Sequence, residues 1–456
     1  MNIDAGARRT PRASRDRGVE SGGDGTGLLT DQYELTMIRA ALGNGVARRR
    51  TVFEMFARQL PGGRRYGVVA GTGRFLDALA RFRFAGNEVE YLTRAGVIDE
   101  ATAAFLASYR FSGTIWGYAE GDCYFPGSPI LVVDAAFAEA VVLETMALSV
   151  FNHDCAVASA GSRMISAADG RPVIEMGSRR THELAAVAAA RAAYIAGFAS
   201  TSNLRAGLEY GVPTAGTSAH AFTLVHDDER QAFTAQLKSL GAGTTLLVDT
   251  YDVAEAVKAA VEVAGGDLGA VRIDSGDVAA LAKAVRAELD ALGATGTRIV
   301  ATGDLDERSI ARLASSPVDG YGVGTALVIG SGAPTAALVY KLVARADGSG
   351  GLRAVAKHST GKPTIGGRKW AVRYFDRGGT ATAEVVSTRP PREGEDAPPG
   401  QRVLLSKLVA DGEIVGREPL TAARDRHKRA LGELPPQALR LSPGPPAIRT
   451  VMHADG

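Results

Sequence analysis

Seven short apolar runs in the middle of the chain each end in residues able to bind or move charged groups. "RPVIEMGSRRTHE" delivers Gly177, Ser178, Arg179, Arg180 and His182, and "AGFASTSN" delivers Thr201, Ser202 and Asn203. "GVPTAGTSAH" brings Thr217, Ser218 and His220, while "TTLLVDTYD" brings Asp249 and Asp252. "GAVRIDSGD" carries Arg272, Asp274, Ser275 and Asp277; "TRIVATGDLDE" carries Thr302, Gly303 and Asp304; "DGYGVGTALV" carries Gly322, Gly324 and Thr325. Glycine-rich turns entering helix N-termini offer free N–H groups and the positive end of the helix dipole, which suit phosphate. "YGVGTA" fits that description, with the Thr325 hydroxyl as an added donor, and "ATGD" is a weaker version of it.

The charged residues sharpen the pattern. Arginines at a helix start oppose the dipole unless an anion compensates them, so Arg179 and Arg180 mark either an anion site or a solvated surface. Arg272 falls inside a strand, where an unpaired charge is costly. Asp274 and Asp277 flank a Ser-Gly turn, placed for ribose hydroxyls, for Mg²⁺ through water, or for orienting an arginine; an internal Arg–Asp bridge is the structural alternative. His220 sits among small residues, open to packing, metal binding, proton transfer or a covalent role. The ring of side chains suits a sugar-bearing polyanion plus a second small anion.

These residues need a scaffold that gathers them. Each apolar run is followed by an amphipathic or Ala-rich helix such as "DVAALAKAVRAELDALG". Repeated strand–loop–helix units predict a closed or nearly closed parallel α/β barrel, with an open doubly wound sheet as the alternative. In both, the loops after the strands collect on one ligand-binding face. Outside this region the chain is richer in strands. "RRRTVFEMFAR" reads as a strand and "GTIWGYAEGDCYF" as a hairpin or two short strands, and "LRAVAKHS", "KWAVRYFDRGGTATAEVVS" and "RVLLSKLVADGEIV" alternate like antiparallel strands. "LLTDQYELTMIRAAL" predicts a helix capped by Thr30 or Asp31. "STRPPREGEDAPPG" reads as a Pro-rich surface loop and "RDRHKRALGELPPQALRLSPG" as a surface helix and tail.

Composition excludes several classes. With 456 residues, 45% hydrophobic and 22% charged, the chain suits a globular enzyme of two or three units. A net charge of +2 gives no drive toward nucleic acid or an anionic membrane. Only Cys123 and Cys155 are present, without a Cys/His metal spacing, which points to a reducing cytoplasm. Residues 1–27 are polar and Gly/Arg-rich and predict a disordered leader, with no apolar stretch of a secretory signal. Residues 135–151, "AAFAEAVVLETMALSVF", carry Glu139 and Glu144 and read as a buried helix rather than a membrane span.

Taken in order, "LLTDQYELTM", "EMGSRRTHE", "GTSAHAF", "VRIDSGD" and "YGVGTALV" resemble the nicotinate phosphoribosyltransferase family, covering the chain from Leu28 past Val328. The resemblance implies an irregular parallel α/β barrel plus an α/β sandwich domain formed from N- and C-terminal segments. The corresponding units are residues 28–135, a barrel at 136–345, and a returning segment at 346–456. It implies a homodimer with shared active sites, acting on nicotinate, phosphoribosyl pyrophosphate and ATP with Mg²⁺, through a phosphohistidine at His220. By the same resemblance Arg272 and Thr217 meet the nicotinate carboxylate, and Tyr33 stacks on the pyridine from the partner subunit. Arg179 holds the phosphoribosyl pyrophosphate. Asp274, Asp277 and Asn203 address its ribose or Mg²⁺–pyrophosphate, Asp274 or Asp277 reaching the metal. Gly324 and Thr325, with Gly303 nearby, receive phosphate. Met176 stands where relatives often carry an aromatic residue on the other pyridine face. Other readings remain: a nicotinamide- or quinolinate-using transferase, a non-catalytic nucleotide-sensing barrel, or a phosphate-sugar lyase or isomerase, for which only Glu175 is on hand as a base.

Overall fold

The computed structural model describes residues 25–357, 365–391 and 398–453. Most of the expected leader, part of the Pro-rich loop and His358 lie outside the described residues. The end of the leader does not: Thr26 is buried, its hydroxyl donating to the Ala78 carbonyl at 2.7 Å. Its N–H donates to the Arg81 carbonyl at 3.0 Å, so the ordered chain begins before Leu28.

Strand Arg50–Ala57 is nearly all buried, Thr51 and Glu54 included, because antiparallel neighbours flank it on both sides and layers cover both faces. It belongs to a seven-stranded antiparallel sheet in the order 352–354, 338–346, 50–57, 131–136, 114–118, 405–410, 413–414. N- and C-terminal segments therefore share one sheet. Strand Leu338–Ala346, which the sequence divides between barrel and returning segment, lies in this sheet. A four-stranded sheet of residues 401–403, 370–375, 381–387 and 449–453 packs near it. Of the two readings of 113–125, a hairpin or two short strands, the second holds. Thr114–Tyr118 pairs with 131–136 and 405–410, whereas Cys123–Tyr124 pairs with Gly67–Val68.

The barrel contains six parallel strands ordered Ser200–Thr201, Val173–Glu175, Gly320–Val323, Arg298–Ala301, Ala270–Ile273, Thr245–Leu247. The seventh expected strand is reduced to one bridge, Thr201 to Thr214. Pro213 lacks an N–H and Gly211 takes φ 68°, so "YGVPTAG" cannot sustain a ladder. The barrel stays open between Thr214 and Thr245, and the His220 segment occupies that gap.

Helix Glu144–Ala168 ties the units together. Met146, Val150 and Phe151 enter the sandwich core, while Val157, Met164 and Ala168 enter the barrel core. Residues Phe137–Ala168 are long and apolar enough to cross a membrane, yet 67% of the most apolar window is buried within the fold. The C-terminal helix Leu420–Gly432 is less superficial than its charge suggests, since His427 is fully enclosed. Its Nδ1–H donates to the Gly121 carbonyl and its Nε2 accepts from Ser162 Oγ, each at 3.0 Å.

Burial pushes the His427 imidazole down from 6.5 to about 4. The unfolded chain then takes up a proton at a pH where the fold does not. The contribution is complete above 6.5 and is lost as pH falls toward 4. Between pH 8 and pH 5 the wild type should lose about 2 kcal/mol more stability than His427→Gln. Urea unfolding of both proteins at the two pH values measures this, and parallel losses would reject it.

Candidate functional site

Strand Ala270–Ile273 alternates Val271 and Ile273 into the core with Arg272 toward the barrel opening. Arg272 Nη1 donates to Thr217 Oγ1 at 2.6 Å and to the Ser218 carbonyl at 3.4 Å. Its Nη2 lies 3.6 Å from Asp274 Oδ2, and its Nε is buried without a partner. The guanidinium is therefore fixed from behind with donor capacity to spare, as an anion receptor requires.

Asp274 follows directly. Its Oδ1 accepts from the Thr302 hydroxyl, leaving Oδ2 toward Arg272 and His220. Its backbone N–H donates to Asp249 Oδ2 at 2.9 Å, and Ser275 Oγ donates to the same oxygen at 2.8 Å. The other Asp249 oxygen is buried, has no hydrogen-bond partner among the described residues and stands 4.0 Å from His220 Nε2. His220 opens helix His220–Leu224, half exposed, with Nδ1 at 3.1 Å from Thr250 Oγ1 and Nε2 also 4.0 Å from Asp274 Oδ2. Asp249 was visible among the strand-end residues, but nothing in its spacing assigned it to His220.

Arg272, Asp274 and Thr302 border a cavity of about 230 Å³ whose other lining residues are Met176, Arg179, Arg180, Gly303, Asp304, Gly322, Gly324 and Thr325; His220 and Asp249 are not among its lining residues. Arg179 and Arg180 are exposed there, without an ion-pair partner among the described residues. Gly322 lets the Met176 thioether lie across it, since a Cβ would come within 2.7 Å of Met176 Sδ. Gly303 has φ 92°, and a Cβ on it would meet the Asp274 carbonyl oxygen at 2.1 Å. A larger hollow of about 860 Å³ lies where Leu28, Leu29, Arg74, Leu184 and Tyr210 meet, and none of the strand-end chemistry faces it.

Other expected residues are placed elsewhere. Asn203 Oδ1 caps helix Leu204–Tyr210 and its Nδ2 donates to Ser178 Oγ at 3.0 Å, beside the Arg179 turn. Asp277 caps helix Val278–Ala291 from an exposed position. Tyr33, in helix Gln32–Gly43, is half exposed and does not line the cavity of its own chain. Among the described residues no group of three or more His, Cys, Asp or Glu side chains could hold a metal by itself. Asp274 and Asp304 are the carboxylates of the cavity wall, which fits a cation arriving with most of its ligands on a polyphosphate.

Residues 28–152 match a family model described as the nicotinate phosphoribosyltransferase N-terminal domain. Residues 157–331 match the quinolinate phosphoribosyl transferase C-terminal domain. Nicotinate phosphoribosyltransferase pncB1 of Mycobacterium tuberculosis is 57% identical over 96% of this chain and 98% of its own length. The pncB2 protein of the same organism is 39% identical over 90% and 88%. Among solved structures, human nicotinic acid phosphoribosyltransferase superposes with a TM-score of 0.77 at 25% identity, covering 93% of this chain and 97% of that one. The nicotinate-nucleotide pyrophosphorylase of Pyrococcus furiosus shares the fold, with a TM-score of 0.71 at 23% identity over 94% and 100% of the two chains.

The contact between Gly303 and Asp274 yields a prediction. Gly303→Ala should cost roughly 1–3 kcal/mol from left-handed strain and displaced backbone. Gly296→Ala, which has nothing within 4 Å of the added carbon, should stay within about 0.5 kcal/mol of wild type. Chemical denaturation of the pair decides, and equal stabilities would show that the loop after Ala301 yields freely.

Proposed function

This chain belongs to the nicotinate phosphoribosyltransferase family and serves NAD salvage, and we propose that it couples the transfer to ATP through a phosphorylated His220. The overall reaction joins nicotinate and phosphoribosyl pyrophosphate to give nicotinate mononucleotide and pyrophosphate, while ATP and water become ADP and phosphate. The observation that carries the reading is the convergence of Arg272, Asp274 and His220 on one opening.

Each side chain then has a task. Arg272, held by Thr217, pairs with the nicotinate carboxylate. Met176 packs on the pyridine in place of an aromatic ring. Arg179 and Arg180 face the pyrophosphate, and the Gly324–Thr325 turn receives the 5′-phosphate. Asp274 addresses the ribose and, with Asp304, would meet an Mg²⁺ carried by the pyrophosphate, which would offset charge on the departing group. Positive charge builds at ribose C1 as pyrophosphate leaves, so placement and electrostatics supply the catalysis. The pyridine nitrogen has a free lone pair and needs no base.

For the ATP half-reaction, a Nδ1–H donated to Thr250 leaves the lone pair on Nε2. Nε2 attacks the γ-phosphorus, ADP departs, and water later releases phosphate. Asp249 and Asp274, each 4.0 Å away, stabilise the cationic imidazole of the transfer. A sensor has no use for this arrangement. Glu175, the lyase alternative's base, is turned away with both oxygens engaged. The part-buried Arg272 guanidinium of the cavity wall suits a single carboxylate better than quinolinate's two or an uncharged amide. We further propose a homodimer in which the second copy supplies Tyr33.

Wild type incubated with labelled ATP should acquire acid-labile phosphate, and His220→Ala should acquire none. The variant should also lose about 10²-fold or more of its ATP-stimulated nicotinate mononucleotide formation. Equal labelling, or undiminished ATP stimulation, would remove His220 from the coupling.

Tyr33→Ala and His220→Ala proteins, unfolded together and refolded, should regain about a quarter of wild-type activity, because half the dimers carry one intact site of two. No recovery would place Tyr33 in its own chain's site or outside any site.

A further inference from the structure

The first barrel strand, Val173–Glu175, ends on an acid that does not face the cavity. Glu175 is fully buried, and no cation among the described residues pairs with it. One carboxylate oxygen accepts the N–H of Gly177 and the other accepts the hydroxyl of Thr201. Thr201 Oγ1 in turn accepts the Asn203 N–H at 2.9 Å, and Asn203 Nδ2 donates to Ser178 Oγ at 3.0 Å. The Glu175 carbonyl takes the Ser202 N–H at 2.8 Å. One buried carboxylate thus joins two neighbouring strand-end loops.

A third loop is pressed against the same point. A Cβ on Gly177 would lie 2.3 Å from Val328 Cγ1 and 3.2 Å from the Gly324 carbonyl oxygen. The Met176 N–H donates to the Val323 carbonyl at 2.8 Å. The Gly177–Arg180 turn is therefore seated on the Gly324–Thr325 turn, and the Glu175 carboxylate fixes how it sits. An uncompensated buried carboxylate is expensive unless its acceptors are filled. Here both are filled, by donors from two neighbouring strand ends of the site.

We propose that Glu175 is a positioning residue for the phosphoribosyl donor, locking the turn that presents Arg179 and Arg180 against the Gly324–Thr325 turn. The proposal rests on the transferase reading above and assigns Glu175 no contact with substrate. Loss of the lock frees the two arginines while Arg272, held separately by Thr217, keeps its grip on nicotinate. The deficit belongs to one substrate.

The test measures KM for each substrate, kcat, and phosphoribosyl pyrophosphate binding by calorimetry without ATP. Glu175→Ala should raise the KM and Kd for phosphoribosyl pyrophosphate about tenfold or more, with the nicotinate KM within about twofold. Glu175→Gln should recover most of the loss, because its amide oxygen still accepts the Gly177 N–H and its NH₂ donates to Thr201. Thr201→Val removes one of the two bonds without deleting the carboxylate, and should show the same selectivity at smaller size. It carries the test alone if Glu175→Ala does not fold. Equal rises in both KM values, or no recovery in Glu175→Gln, would overturn the proposal. Wild type that fails to bind phosphoribosyl pyrophosphate would overturn the transferase reading, and the proposal with it.

Discussion

The strand-end site hangs on the Asp249 carboxylate. It reaches sideways from the loop after Thr245–Leu247 and takes two donors, Asp274 N–H and Ser275 Oγ, from the next loop. That fixes the Asp274 peptide, which turns the Asp274 side chain toward Thr302 and lets its carbonyl crowd Gly303. Position is thus handed from strand to strand across the parallel sheet, and a glycine is required where the hand-over is closest. The oxygen left over is buried without a donor, a cost of about 1–3 kcal/mol, and it points toward His220. A fold retains such a deficit where the neighbouring group has a charge to be met.

Much of this was legible in the sequence for physical reasons. Strands with apolar runs and turns with Gly, Ser, Thr and Asp have local signatures, so the barrel strand ends and the helix after Asp31 could be placed. What stayed open or failed turned on partners and breaks that local patterning does not register. The 113–125 segment read as a hairpin or two short strands; it is the latter, in different sheets, because residues 405–410 and 67–68 supply the partners. The third barrel strand failed because one proline removes a donor that alternation does not register. The side chains of Asn203, Asp277, Asp249 and Glu175 were nameable, but the direction each one faces is set by neighbouring loops. Two of them cap helices, one faces His220 and one ties loops together.

The C-terminal segment had no assigned role in the sequence and has a clear mechanical one in the fold. Arg424 donates to the carbonyls of Tyr194, Gly197 and Phe198, the last turn of helix Glu183–Ala196 and its exit. A cation there satisfies orphan carbonyls and complements the negative end of the helix dipole. That helix begins just after the Arg179 turn and packs along Glu144–Ala168, which enters both cores. The returning chain therefore braces the far end of the helix that follows the Arg179–Arg180 turn.

Charge of both signs lines the cavity. Arg179, Arg180 and Arg272 supply the cations, and Asp274 and Asp304 the anions, with Arg272 Nη2 3.6 Å from Asp274 Oδ2. The proposed displacement at ribose C1 makes opposite demands on its two ends: cationic help for the departing pyrophosphate, and nothing basic for the pyridine. A site for that reaction gains little from a residue of tuned basicity and much from loops that keep their register. Glu175 illustrates the difference. Its carboxyl is pushed up by burial, the usual mark of an acid–base catalyst. Yet its acceptors are consumed by Gly177 and Thr201, so it has no lone pair aimed at a substrate proton. In this barrel the shifted acid reports burial, partly offset by the bonds to Gly177 and Thr201 that hold the loops together, and the proposed reaction calls on groups whose value lies in where they stand.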